Sequence, residues 1–308
     1  HLGAYAGYEG HPFTALNTAM FSDGLYLRVA ADQLVGQAIQ VFYIQTTAPA
    51  TAIHPRSLYL FDRGSQATVI ETFVGLEKTL YFMNPVSEWV MAENSHIRHC
   101  KIQDEAADGY HVSRQAVFME RDSAFQGFSI SFGAKLERND LNAIIAGENV
   151  QVELNGLYML GNEQHVDHHT AMLHRRPHSF SRQLYKGILS GSSRAVFNGR
   201  IHVSREAQQT DAIQSNRNLL LSDSATINTQ PQLEIYADDV RCTHGGTVGQ
   251  LDEEGLFYLQ TRGLSRETAR NLMVHAFAGD VVQRIREEGL RERIEERVKN
   301  YLGWDERS

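Results

Sequence analysis

Five of the chain's fourteen histidines fall within residues 164–178, QHVDHHTAMLHRRPH. On a strand, side chains alternate between two faces. His165, Asp167 and His169 then share one side, and His168 takes the other. Imidazole and carboxylate suit Zn²⁺ or Fe²⁺, so this row offers three candidate ligands for a mononuclear metal hydrolase. The spacing is not that of the helical H-E-x-x-H motif. A solvated, pH-sensitive strand face is the simpler reading of the same residues. A sparser constellation, VRCTHGG, aligns Val240, Cys242 and His244 on one face, with i and i+2 side chains about 7 Å apart. Thiolate and imidazole both ligate soft or borderline metals. Two ligands do not complete a tetrahedral site, so a metal here needs a neighbouring strand or another subunit. Without one, Cys242 is a structural cysteine beside a turn-capping histidine.

Other catalytic devices are missing from the sequence. It has no G-x-x-x-x-G-K-[ST] phosphate loop, no strand-linked G-x-G-x-x-G and no G-x-S-x-G elbow. Glu71, Asp122 and Glu153 sit in strand-like runs and could pair for chemistry on a polysaccharide. Solvated strand positions account for them equally.

Composition narrows the partners. Lys and Arg total 29 against 37 Asp and Glu, a net charge of −8. Nucleic acid and anionic membrane surfaces both call for a basic face, so neither is expected. Two distant cysteines, Cys100 and Cys242, form no disulfide framework and fit a reducing compartment; the cytoplasm is the expected location. No apolar run approaches the roughly 18–20 residues of a membrane span. The opening HLGAYAGYEGHPFTALNTAM has neither initiator methionine nor signal-peptide layout, and is expected to lie inside a longer protein.

The elements that must position these residues come in two textures. From about residue 24 to 250 the pattern is period-2 alternation broken by Gly, Asn, Asp and Ser, as in NVQVELNGLYMLG and SRAVFNGRIHVS, which is the strand signal. With no crossover helices, a parallel α/β fold is excluded, leaving a sandwich, a barrel or a β-solenoid. Asn155–Gly156, Lys186–Gly187 and Asn198–Gly199, read as recurring corners, favour the solenoid. Beyond about residue 255 the texture is helical. Ser265 is placed to cap a helix with Ala269, Leu272, Met273, Ala276, Phe277 and Val281 along its apolar stripe. Leu290, Ile294, Val298 and Tyr301 mark a second helix. The expected division is a β core over 1–250, with 1–23 as an entry segment, and a helical part over 251–308.

The stretch ADDVRCTHGGTVGQLDEEGLFYLQTRGLSRETARNLMVHAFAGDVV (237–282) closely resembles the C-terminal signature of the SufB/SufD family of iron–sulfur cluster assembly proteins. EQHVDHHTAMLH, SRQLYKGILSG and HPRSLYLFDRGSQATVIETFVG extend the resemblance over nearly the whole chain. ADDVRCTHG and FYLQTRG are similar to the SufD branch, and the family's N-terminal helical region has no counterpart here. The resemblance implies a mainly β fold, a right-handed parallel β-helix followed by a small C-terminal α-helical subdomain. It also implies a non-catalytic scaffold that pairs with SufB through the β-helix and binds the ATPase SufC. A homodimer is an expectation for the isolated chain. Carried over, Cys242 and His244 match the residues near the SufB interface, where a nascent Fe–S cluster could form without being held stably by this chain alone. Tyr258, Arg262, Gly263 and Phe277 match the segment that contacts the ATPase.

Overall fold

The computed structural model describes residues 1–46, 50–76 and 80–303; the last five residues of the expected helical part, 304–308, lie outside them. Helix α1 (Pro12–Met20) leads into β1 (Tyr26–Val29), β2 (Ile39–Gln45), β3 (Thr51–Ile53), β4 (Arg56–Phe61), β5 (Gln66–Gly75) and β6 (Tyr81–Met83). The chain continues through β7 (Val86–Met91), β8 (His96–Asp104), β9 (Tyr110–Met119), β10 (Ala124–Ser131), β11 (Leu136–Ile145) and β12 (Gln151–Leu160). Then follow β13 (His165–His174), β14 (Phe180–Leu189), β15 (Arg194–Val203), β16 (Asp211–Leu220), β17 (Thr226–Ile235) and β18 (Arg241–Gly249). Helices α2 (Glu253–Thr261), α3 (Arg266–Val282) and α4 (Glu288–Tyr301) close the described chain.

From β7 onward, successive strands alternate between two parallel sheets. One runs β1-β4-β7-β9-β11-β13-β15-β17, with β3 and β6 attached, and the other β18-β16-β14-β12-β10-β8-β5-β2. The result is a parallel β-solenoid of about eight turns. Stacking is in register: Leu136, His165, Arg194 and Thr226 form one column. The repeat is therefore defined by which residues stack, not by a fixed count, which is why the spacing in the sequence is loose.

One corner explains the turns. Asp32, Asn94, Asp122, Asn149, His178 and Gln209 occupy it with φ from 55° to 61°, a region that Asn and Asp tolerate better than most side chains. Their N–H groups bond to the turn stacked above, as in Asp122 N to Glu148 O at 2.9 Å and His178 N to Gln208 O at 3.0 Å. The expected Asn-Gly and Lys-Gly corners are not corners. Gly156, Gly187 and Gly199 lie within β12, β14 and β15 and face inward. There a Cβ would overlap the ring of Tyr185, the ring of Tyr158 and the amide of Gln214 respectively. These glycines make room for side chains of other strands.

The main core fills the space between the sheets, from Tyr59, Phe61 and Trp89 to Phe197, Ile201 and Ala212. A second core lies outside the solenoid. Ile102, Phe128, Ile130, Leu157, Met159 and Ile188 of the β18–β2 sheet are covered by Val274, Ala278, Val281, Ile294 and Val298 of α3 and α4. Ser265 does cap α3, accepting from Thr268 N at 3.0 Å. Its buried face is Ala269, Asn271, Val274, Ala278, Val281 and Val282, rotated from the expected stripe so that Leu272 stays exposed. The apolar outer face of the sheet, not the hydrophobicity of the helix alone, selects that face. In α4, Ile294 and Val298 are buried as the stripe requires. No described helix is long and apolar enough to cross a membrane.

Candidate functional site

The solenoid ends on β17 and β18. Among the described strands, β17 pairs only with β15 and β18 only with β16. Each therefore presents a free backbone edge. Inward positions of this last turn are incompletely covered: Ile227, Leu233, Val240 and Cys242 are only partly buried against the core, and Val248 is 47% exposed.

Cys242 and His244 lie on that terminal strand and point inward, stacked on Ala212 and Gln214 of β16. Alternation thus places both on one face, as their spacing predicts. Cys242 is half-buried and His244 exposed. Burial pushes the Cys242 thiol above its ordinary range, with the nearby Asp211 adding to the effect. Cys100 is fully buried in the second core, where burial raises its thiol strongly; it is a packing residue.

The histidine row folds as alternation dictates, with His168 inside at 1% exposure and His165, Asp167 and His169 on the outer face. Asp167 is already engaged there. Arg138 Nη1 meets its Oδ2 at 2.5 Å and His169 Nε2 its Oδ1 at 2.8 Å. Burial works against the carboxylate, but His169 and Arg138 hold its pKa below the usual range. Among the described residues, no group of three or more His, Cys, Asp and Glu side chains is arranged to hold a metal ion. His168 is unsuited to pH sensing near neutrality, since burial lowers it to about 3.

The three carboxylates considered for glycosidic chemistry have separate environments. Glu71 is buried, accepting from Tyr59 Oη at 2.6 Å and meeting His99 Nε2 at 2.8 Å. Asp122 is a corner residue holding Asn149 Nδ2 at 2.9 Å. Glu153 lies on the outer face of the other sheet, paired with Arg284 at 3.0 Å.

The four residues expected to contact an ATPase separate into two groups. Tyr258 is exposed on α2, next to Phe257, at 57% and 69% respectively. Arg262 donates from Nη2 to Tyr258 Oη at 3.1 Å and lies over its ring at 5.1 Å. Gly263 ends the helix at φ 94°, a conformation that favours glycine. Phe277 is elsewhere, half-buried against the solenoid with Lys186 Nζ 4.0 Å from its ring centre.

Sequence reading missed a polar cluster sealed between the sheets. Lys101 Nζ donates to His111 Nε2 at 2.8 Å, to Ser113 Oγ at 2.6 Å and to Asn139 Oδ1. Glu105 meets His111 Nδ1 at 2.7 Å, and Glu137 accepts from Ser131 Oγ at 3.0 Å and from Asn139. The available signal was alternation, which puts His111, Ser113, Glu137 and Asn139 on the inward face once the register is known.

Comparison with known proteins gives consistent matches. Residues 42–277 match the family model described as SUF system FeS cluster assembly, SufBD core domain. The chain is 33% identical over 282 residues to an iron–sulfur cluster assembly SufBD family protein of Synechocystis sp., covering 89% of this chain and 62% of that protein. It is 37% identical over 251 residues to the chloroplastic protein ABCI7 of Arabidopsis thaliana, covering 81% and 53%. With the iron–sulfur cluster assembly protein SufD of Escherichia coli it shares 37% identity over 239 residues, covering 78% and 56%. The aligned regions thus span between 53% and 62% of the length of these relatives.

Proposed function

The chain belongs to the SufBD family of iron–sulfur cluster assembly proteins, SufD-like in character, and from that premise we propose that it acts as a non-catalytic scaffold. Its proposed partners are a SufB-type chain at the β17–β18 end of the solenoid and a SufC-type ATPase on α2. The observation that carries this reading is the uncovered last turn. Free strand edges are templates for another strand, and β17 and β18 present two side by side. Cys242 and His244 lie on the same turn, so a partner joining there supplies the ligands that two residues lack. The cluster is cargo in this scheme. Thiolates bind such clusters, and histidine replaces them in some. Two copies of the isolated chain can pair by the same edges. The exposed Phe257 and Tyr258 on α2 support the second docking place.

The test is co-expression with SufB and SufC. Val248→Lys puts a charge into the open turn and is expected to reduce co-purified SufB at least ~10-fold, the effect of burying an unpaired charge in an interface. Cys242→Ala combined with His244→Ala is expected to keep both partners but lose the cluster absorbance of the complex. Undiminished cluster content in that double variant would sink the assignment.

A further inference from the structure

Directly beneath His244 in the inward column lies Gln214 of β16, a side chain only 1% exposed. Its amide nitrogen is committed: Nε2 donates to Gln183 Oε1 at 2.7 Å. The same Gln183 oxygen accepts from Thr170 Oγ1 at 3.2 Å, so β13, β14 and β16 together fix the orientation of the Gln214 amide. The facing strand leaves space for it, because a Cβ on Gly199 would overlap Gln214 Nε2. Two atoms of this pair are left without a partner, the donor Gln183 Nε2 and the acceptor Gln214 Oε1, and of the two only the Gln214 oxygen belongs to the strand on which His244 stacks. Buried amide oxygens are rarely left so, and an orphan of this kind points to a donor that a neighbouring side chain can bring to it.

We propose that Gln214 is a positioning residue for His244, its Oε1 accepting one ring N–H so that the other imidazole nitrogen faces the open end as a ligand. Neighbouring strands stack about 4.8 Å apart, and both side chains point inward from paired positions, so a rotation of the exposed His244 ring about its side-chain bonds is all the contact requires. Which nitrogen of a histidine ligates is determined by the hydrogen bond made at the other. The proton stays on the ring and no bond is broken. The inference rests on the reading above in one respect, that His244 serves as a ligand.

Long-range ¹H–¹⁵N spectra of the full chain, labelled at histidine, read the tautomer directly, with His244 identified by its loss in His244→Gln. The wild-type chain is expected to show a single His244 tautomer. Gln214→Leu removes the acceptor and is expected to give a mixture. Thermal melting checks that each variant folds. Should Gln214→Leu not fold, Gly199→Ala displaces the amide from its seat and is expected to give the same mixture. In the complex with SufB and SufC, Gln214→Leu is expected to lower cluster content ~10-fold, the usual scale for losing a partner behind a ligand. An unchanged tautomer in Gln214→Leu overturns the proposal whatever the cluster content. A shifted tautomer supports it, and if His244→Gln then leaves cluster content untouched, the failure belongs to the ligand reading and not to the contact.

Discussion

Glu137 is an ionisable side chain with no exposure at all, and its Oε2 has no partner. Burial drives its pKa up to about 7, although Lys101, Asn139 and Ser131 pull the other way. In the unfolded chain the group titrates near the ordinary 4.3. Between these values the folded state keeps a proton that the unfolded state has released, so stability falls as pH rises. The contribution is fully present below the unfolded pKa and is lost through about pH 7. Glu137→Gln should therefore gain on the wild type by as much as ~3 kcal/mol between pH 4 and pH 8. Urea melts at both pH values measure the difference; an equal change of stability with pH in the two proteins would refute it. This cluster was not readable from the sequence, because Glu137, His111 and Lys101 resemble ordinary solvated strand residues until two sheets close over them. Cys242 and His244 were readable, since their face depends only on alternation within one strand. Gln214 was not, for its relevance comes from the column it shares with His244.

At the scale of the element, the interior glycines carry information that their neighbours in sequence hide. Asn155–Gly156 and Lys186–Gly187 have the composition of turns, yet both lie in ten-residue strands. Turn chemistry is local, whereas the need for glycine here comes from a ring on an adjacent strand. Tyr185 overlies Gly156 and Tyr158 overlies Gly187, so each tyrosine sits in the space the other turn vacates. Gly156→Ala forces the Tyr185 ring out of its seat between His168 and Phe197. Overpacking of this kind costs about 1–3 kcal/mol. A chemical melt of the variant should show that loss with an unchanged denaturant slope, and a Gly156→Ala protein as stable as wild type would show that the ring has another place to go. Strand identity was readable throughout the region, because alternation survives any register. The short helix α1 was not: its buried residues are Thr14 and Asn17, and Asn17 caps the carbonyls of Pro55 and Asn84 at 3.0 and 2.8 Å, while Phe13, Leu16 and Met20 face outward. An inverted pattern gives no amphipathic signal of the usual sign.

For the molecule as a whole, the helical tail covers the solenoid and is the proposed docking place, and a single truncation would confuse the two. Helices α3 and α4 form one wall of the second core, and ion pairs tie them to the sheet: Arg297 with Asp104 at 2.9 Å, Arg284 with Glu153 at 3.0 Å and Lys186 with Asp280. Lys186 is nearly buried on its own side of that contact. Burial lowers its pKa while Asp280 opposes the shift, so the pair needs the helix in place. Removing residues 265–303 would uncover Ile102, Phe128, Ile130, Leu157, Met159 and Ile188 together, a contiguous apolar surface of the kind that drives aggregation. Loss of ATPase binding in such a truncation would report a damaged solenoid, not a missing docking site. Helix α2 is different, since Phe257 and Tyr258 contribute little to either core. The double substitution Phe257→Ala with Tyr258→Ala should leave the melting temperature within about 2 °C of wild type, as expected for an exposed site. Retention of SufC on a column carrying the variant should fall at least ~10-fold, the loss of an aromatic anchor pair. Full retention by a variant with native stability would remove α2 as the docking element and turn attention to the remaining exposed surface of the tail.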